Sequence, residues 1–215
     1  MRGVFITVEG IDGSGKTTQA HRLAAALREA GHMVRETREP GGSPGAEQIR
    51  QLLVTGAPGR WSADTEVLLF TAARRDHVET VIRPALAAGE IVVCDRYVDS
   101  TRVYQGGTPE RRAAIDALHA SYVGLDPDLT LVFEIEPTLA LSRLADRAVS
   151  AGEDRFEQRG AAFQHAIAER FAAIAAEEPA RVLRINAGDA VEAVAARALS
   201  AVVDRIDAGQ ATARG

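Results

Sequence analysis

The chain has 215 residues, 46% hydrophobic and 26% charged, with a formal net charge of −5 and one cysteine. That length suits one domain with a substantial core. The acidic balance gives no ground for a nucleic-acid-binding surface, and a single thiol excludes an internal disulfide and a cysteine-based metal cluster.

Met1-Arg2-Gly3-Val4 carries no signal-peptide pattern and no apolar run is long enough to cross a bilayer, so no membrane association and a cytoplasmic location are expected. Val4–Val8 is β-branched or aromatic, the composition of a parallel strand covered on both faces. Gly10–Thr17 reads Gly-Ile-Asp-Gly-Ser-Gly-Lys-Thr and satisfies the phosphate-loop pattern G-x-x-x-x-G-K-[ST] at every fixed position. From Thr17 to about Ala30 apolar residues recur at helical spacing (Leu23, Ala24, Leu27, Ala30), and Gly31 stops them. Strand, loop and helix thus stand in the order that phosphate binding needs. Gly10, Gly13 and Gly15 permit the tight bend that converges backbone N–H groups on phosphate oxygens, and the helix adds the positive end of its dipole. Lys16 can reach the β- and γ-phosphates and the Thr17 hydroxyl can ligate Mg²⁺, so a nucleoside triphosphate is the expected ligand.

A second strand is expected over Met33–Thr37, followed by a loop rich in proline and glycine, Arg38–Gly45. A helix should run from about Ala46 to Val54. After a break at Thr55–Arg60, Ser62 or Asp64 caps a longer helix reaching towards Ala88. Glu90–Cys94 reads as a third strand, with Cys94 a small buried hydrophobe, and closes on Asp95-Arg96-Tyr97. A helix from Thr108 or Glu110 to about Tyr122 precedes a fourth strand, Leu129–Ile135, and Pro137 opens the next helix. That helix frays into Arg147–Arg155, which has almost nothing to bury. Phe156 to about Glu178 is helical again, Arg181–Ile185 is a fifth strand, and Ala190–Ile206 is a closing helix. Residues 1–207 read as one domain and 208–215 as a disordered tail.

Five strands separated by helices predict an α/β fold, a five-stranded parallel sheet with helices on both faces. Ligands gather at the carboxyl ends of such strands, so Asp12–Thr17, Arg38 and Asp95-Arg96 should meet at one cleft. Asp95 follows four apolar strand residues and is read as a Mg²⁺-associated carboxylate in preference to a strand-end cap or a partner for Arg96. Phosphoryl transfer asks mainly for positioning and positive charge. Arg38, Arg74, Arg96, Arg143, Arg147 and Arg155 lie at a predicted cleft loop or on a helix able to face it. Arg38 and Arg96, directly after strands, read as functional; Arg143 and Arg147 read as solvated. His21, His32, His77, His119 and His165 sit in no motif and read as surface or structural residues.

Gly10–Thr18, Arg38-Glu39-Pro40-Gly41-Gly42, Phe70-Thr71-Ala72-Ala73-Arg74, Asp95-Arg96-Tyr97 and Ser100 to Gly107 together resemble the bacterial thymidylate kinases, from residue 3 to about 206. The resemblance implies a P-loop nucleoside monophosphate kinase fold with a short mobile lid over about 147–157. It implies transfer of the γ-phosphoryl group of ATP to dTMP with Mg²⁺, and a homodimer. Gly10, Ile11, Asp12, Gly13, Ser14, Gly15, Lys16, Thr17 and Thr18 would bind ATP, and Thr17 and Asp95 the metal. Phe70 would stack on thymine, Arg74 would donate to a base carbonyl, and Ser100, Thr101 and Gln105 would lie near the acceptor. Tyr104 would crowd the sugar 2′ position; Asp12 would lie near the 3′-hydroxyl and the acceptor phosphate, which Arg38 and Arg96 would hold. Lys16, Arg96, Asp12 and Arg155 would carry the catalytic step. In this family an arginine comes either from the phosphate loop or from the lid; Gly13 and Ser14 leave none in the loop, which points to Arg155 first and Arg147 second.

Alternatives are a kinase for another nucleoside monophosphate or small acceptor, and a P-loop nucleotide switch. The positive charge of Arg38 and Arg96 favours a phosphate-bearing acceptor. Guanine switches carry an Asn-Lys-Xaa-Asp element, which this sequence lacks.

Overall fold

Five strands form one all-parallel sheet in the order β2-β3-β1-β4-β5. The structure is a computed structural model that describes residues 2–57, 59–147 and 161–212. In chain order the elements are β1 (Phe5–Glu9), α1 (Lys16–Glu29), β2 (Val34–Arg38), α2 (Pro44–Val54), α3 (Ala63–His77), α4 (Arg83–Ala87) and β3 (Ile91–Asp95). Then come α5 (Val98–Tyr104), α6 (Pro109–Leu118), β4 (Leu129–Glu134), α7 (Pro137–Arg147), α8 (Ala161–Glu177), β5 (Val182–Asn186) and α9 (Val191–Thr212).

The central strands are apolar because both of their faces are covered. Strand periodicity sends Ile6, Val8, Ile91 and Val93 into a core with α1, α8 and α9. It sends Phe5, Val92 and Cys94 to the other face, against Tyr97, Ile82 and Leu86. The edge strands β2 and β5 are less covered and carry Arg35, Glu36, Arg38 and Arg184.

All five predicted strands are present within a residue or so. The single helix expected between Ser62 and Ala88 is divided by a π-helical turn, Val78–Ile82. Pro84, at the start of α4, has no N–H for the carbonyl one turn back, and the wider turn before it accommodates that loss. The helix expected to reach Tyr122 likewise passes at Leu118 into a π turn, His119–Val123, closed by Gly124 N–H on the His119 carbonyl. No element is predicted between Asp95 and Thr108, yet α5 lies there. α9 continues to Thr212, so 208–212 are helical where a disordered tail is expected. The lid expected over 147–157 lies outside the described residues, apart from Arg147 at the end of α7. Among the described residues no helix is long and apolar enough to cross a membrane.

Candidate active site

The first turn of α1 and the carboxyl ends of β1 and β3 converge at the phosphate loop. Gly13 has φ +80°, and a Cβ there would stand 2.3 Å from the Ala140 carbonyl oxygen, so the loop is seated directly on α7. Lys16 Nζ lies 3.2 Å from Asp12 Oδ1 and 3.3 Å from the Ile11 carbonyl oxygen. Burial and the neighbouring Arg96 push the Lys16 amine below its ordinary range, with Asp12 and Asp95 pulling the other way. Thr17 donates its hydroxyl to Asp95 Oδ2 at 2.5 Å, and the other Asp95 oxygen is buried with no hydrogen-bond partner among the described residues.

Arg96 stands at the centre of a second group of charges. Its backbone is left-handed, with φ +68°. The guanidinium contacts Asp12, donates to Ser100 Oγ at 2.9 Å and lies over the Tyr104 ring at 5.2 Å. Tyr104 donates its hydroxyl to Asp12 Oδ2 at 3.3 Å. Burial would raise the Asp12 carboxyl, but Arg96 and Lys16 outweigh it and hold Asp12 at about 2. Glu9, behind Arg96, accepts from the Tyr97 and Ser100 N–H groups and from the Ser100 hydroxyl. Burial dominates at Glu9 and pushes it up to about 7, against the pull of Arg96.

Asp12, Arg96, Ser100 and Tyr104 line a cleft of about 130 Å³ whose walls also include Phe70, Arg74, Thr101, Gln105, Arg50 and Pro40. Asp12, Phe70, Arg74, Arg96, Ser100, Thr101, Tyr104 and Gln105, all singled out from the sequence, therefore share one cavity. Arg38 does not: it ends the edge strand β2, points outward, and pairs with Glu47 at 3.1 Å. Arg155 lies outside the described residues, as does the side chain of Arg147.

Four contributors escape sequence reasoning: Glu9, Glu39, Arg50 and His77. Arg50 offered a signal, because it interrupts the buried stripe of α2 between Ala46 and Leu53 at helical spacing. Glu39 stands in the Arg38–Gly42 stretch of the family resemblance, which gave it no role of its own; Glu9 and His77 offered no signal, since their partners are distant in the chain. A second cleft, about 170 Å³, adjoins the other side of the phosphate loop and is lined by Gly13, Ser14, Thr18, Gln19, Arg143, Ala187 and Asp189. Arg143, expected in solvent, is part of that wall and donates to the Ala187 carbonyl at 3.4 Å.

The family model for thymidylate kinase matches residues 8–198. A curated thymidylate kinase from Ruegeria pomeroyi is 51% identical over 206 residues, covering 95% of this chain and 97% of the relative. One from Jannaschia sp. is 54% identical over 196 residues, covering 91% and 93%. A crystal structure of thymidylate kinase from Ehrlichia chaffeensis superposes with a TM-score of 0.74 at 33% identity, covering 94% of this chain and 99% of that one.

Proposed function

Because the chain belongs to the thymidylate kinase family, whose ATP-dependent enzymes phosphorylate dTMP to dTDP, we propose that its two clefts divide that reaction between them. One observation carries the assignment: the Asp12 carboxylate bridges Lys16 of the phosphate loop and Arg96 of the cleft lined by Phe70 and Tyr104. Donor and acceptor phosphates would therefore meet at that point. ATP takes the loop Gly10–Thr18 with its nucleoside end towards the cleft beside Arg143. dTMP takes the cleft lined by Phe70 and Tyr104.

There Phe70 offers an aromatic face to thymine and Arg74 donates to a base carbonyl, with Thr101 and Gln105 at the other edge. Tyr104 occupies the space a ribose 2′-hydroxyl would need. Arg96 holds the acceptor phosphate, and Arg38 joins it by exchanging Glu47 for phosphate. The acceptor oxygen is already nucleophilic at neutral pH, so the residues align it and offset charge rather than remove a proton. Gly13 and Ser14 bring no cation to the transferred group, which supports Arg155 as its source.

Thr17 and Asp95 fit a Mg²⁺ ion: both present hard oxygen donors, and Asp95 keeps one buried oxygen without a partner. No cluster of three or more His, Cys, Asp or Glu able to hold a metal occurs among the described residues, as suits a cation shared with substrate phosphates. When bound, the ion neutralises charge on the β- and γ-phosphates. We further propose a homodimer, supported by exposed Leu52 and Leu68 on the packed helices α2 and α3, and a cytoplasmic location, where both nucleotides are available. Sedimentation that gives a monomer at micromolar concentration would remove the dimer.

The test of function is coupled ADP release with ATP·Mg²⁺ and the thymidine, deoxyuridine, uridine, cytidine and adenosine monophosphates. Turnover should depend on acceptor and favour dTMP. Release that is equal with and without acceptor would refute the reading and leave a nucleotide switch.

A further inference from the structure

His77 lies on the last turn of α3, three residues beyond Arg74, and is wholly buried. Its Nε2 is 2.7 Å from Thr37 Oγ1 and its Nδ1 is 3.1 Å from Glu39 Oε1. The other Glu39 oxygen accepts from Arg74 Nε at 2.8 Å, and Arg74 Nη2 donates to Thr101 Oγ1 at 3.0 Å. Thr37, Glu39, His77, Arg74 and Thr101 thus form a continuous chain from β2 to α5. One neutral tautomer satisfies it: Thr37 O–H donates to Nε2 and Nδ1–H donates to Glu39. The loop after β2 is seated on this chain, since a Cβ at Gly42 would stand 2.4 Å from both His77 Nε2 and Thr37 Oγ1.

The arrangement matters because Arg74 is only 3% exposed. A guanidinium out of water is oriented by its partners, and Glu39 is its counter-ion. A carboxylate prefers to meet a guanidinium with both oxygens. His77 prevents that by occupying Oε1, so Glu39 takes the Nε–H alone. Two bonds then leave three of the five N–H groups of Arg74 to other partners, on a residue that lines the cleft.

We propose that His77 is a positioning residue for acceptor recognition: by holding one oxygen of Glu39, it keeps Arg74 in the orientation that presents N–H groups to a carbonyl of the acceptor base. The proposal rests on the assignment of Arg74 to the base. Release of Glu39 lets both of its oxygens fork onto Arg74 and withdraw a donor from the cleft.

The test compares steady-state constants for both substrates in four variants. His77→Gln, which moves the amide away from Glu39, should raise KM for dTMP about tenfold while kcat and KM for ATP change less than about twofold. His77→Asn, whose amide can replace Nδ1–H, should recover most of that loss. Arg74→Met should raise KM for dTMP, and His77→Gln added to it should do no further harm. A packing role alone would lower the melting temperature and leave the ratio of the two KM values unchanged. If His77→Gln does not fold, Thr37→Val releases the same ring from its other side and should raise KM for dTMP in the same selective way. An Arg74→Met enzyme with unchanged KM for dTMP would overturn the assignment of Arg74. A selective effect of Arg74→Met with none from His77→Gln or Thr37→Val would overturn the positioning proposal alone.

Discussion

Glu9→Gln should abolish a pH dependence of stability that is built into the site. Glu9 is fully buried at the end of β1, and burial raises its carboxyl from 4.5 to about 7, against the opposing pull of Arg96 and Ser100. A raised folded-state pKa means that the native state binds the proton more tightly than the unfolded chain does. The stabilising contribution is therefore complete below pH 4.5 and is lost as pH rises through about 7. A shift of roughly 2.5 pH units at 1.36 kcal/mol each corresponds to about 3 kcal/mol. Glutamine resembles the protonated acid and does not titrate. Urea midpoints for both proteins between pH 4.5 and 8.5 isolate the effect, because every other titrating group cancels in the difference. The stability of Glu9→Gln relative to the parent should climb by about 3 kcal/mol between pH 4.5 and 8, most of it before pH 7.5. A difference flat to within about 0.5 kcal/mol would refute the reasoning and mean that Arg96 and the three hydrogen bonds already offset the cost of burying the charge.

Gly13→Ala combines a left-handed backbone with a collision against the Ala140 carbonyl, whereas Gly31→Ala has the same φ sign with open space around it. Gly31→Ala should cost about 1 kcal/mol and leave kinetics untouched; Gly13→Ala should cost more and raise KM for ATP at least about tenfold, as melting curves and ATP titrations would show. Tyr104→Ala should narrow the preference for deoxyribose over ribose acceptors by about tenfold. Tyr104→Phe, which keeps the ring and loses the hydroxyl with its bond to Asp12, should retain that preference in a competition assay. Asp95→Asn should raise the Mg²⁺ concentration needed for half-maximal rate by about tenfold or more, and an unchanged Mg²⁺ titration would remove Asp95 from the metal site.

The scaffold was legible and the finer geometry was not, for identifiable reasons. Strands β1, β3 and β4 are sheathed on both faces, so their apolar runs are local signals that survive in the sequence. The phosphate loop is equally local, because its chemistry is compressed into eight consecutive residues. Arg38 is less legible for the opposite reason: it ends the edge strand β2, and its pairing with Glu47 of the next helix, which holds it off the cleft wall, is not written in its position after a strand. The π turns depend on single events, a proline in one case and a left-handed glycine in the other, that perturb an otherwise ordinary helical pattern.

The least legible element, α5, carries Ser100, Thr101 and Tyr104 into the cleft. Val98-Asp99-Ser100-Thr101 has little intrinsic helix preference, and seven residues are too few to form a helix alone. What holds α5 lies far away in the chain. Glu9 accepts from two N–H groups at its start across 88 and 91 residues. Arg181 pairs with the buried Asp99 across 82 residues, joined by Arg102 of the same helix, and their charges and hydrogen bonds keep Asp99 low despite its burial. Arg74 reaches Thr101 from α3, and Arg170 donates to the Val103 carbonyl from α8. Each of these groups is costly to bury unpaired, so each tolerates only the arrangement in which its partner is present. The apolar sheet would accept many sequences at this position; the polar ties accept one placement of the helix. The geometry of this cleft is therefore set largely by long-range polar pairing, and the residues that impose it lie mostly outside the motifs by which the family is read.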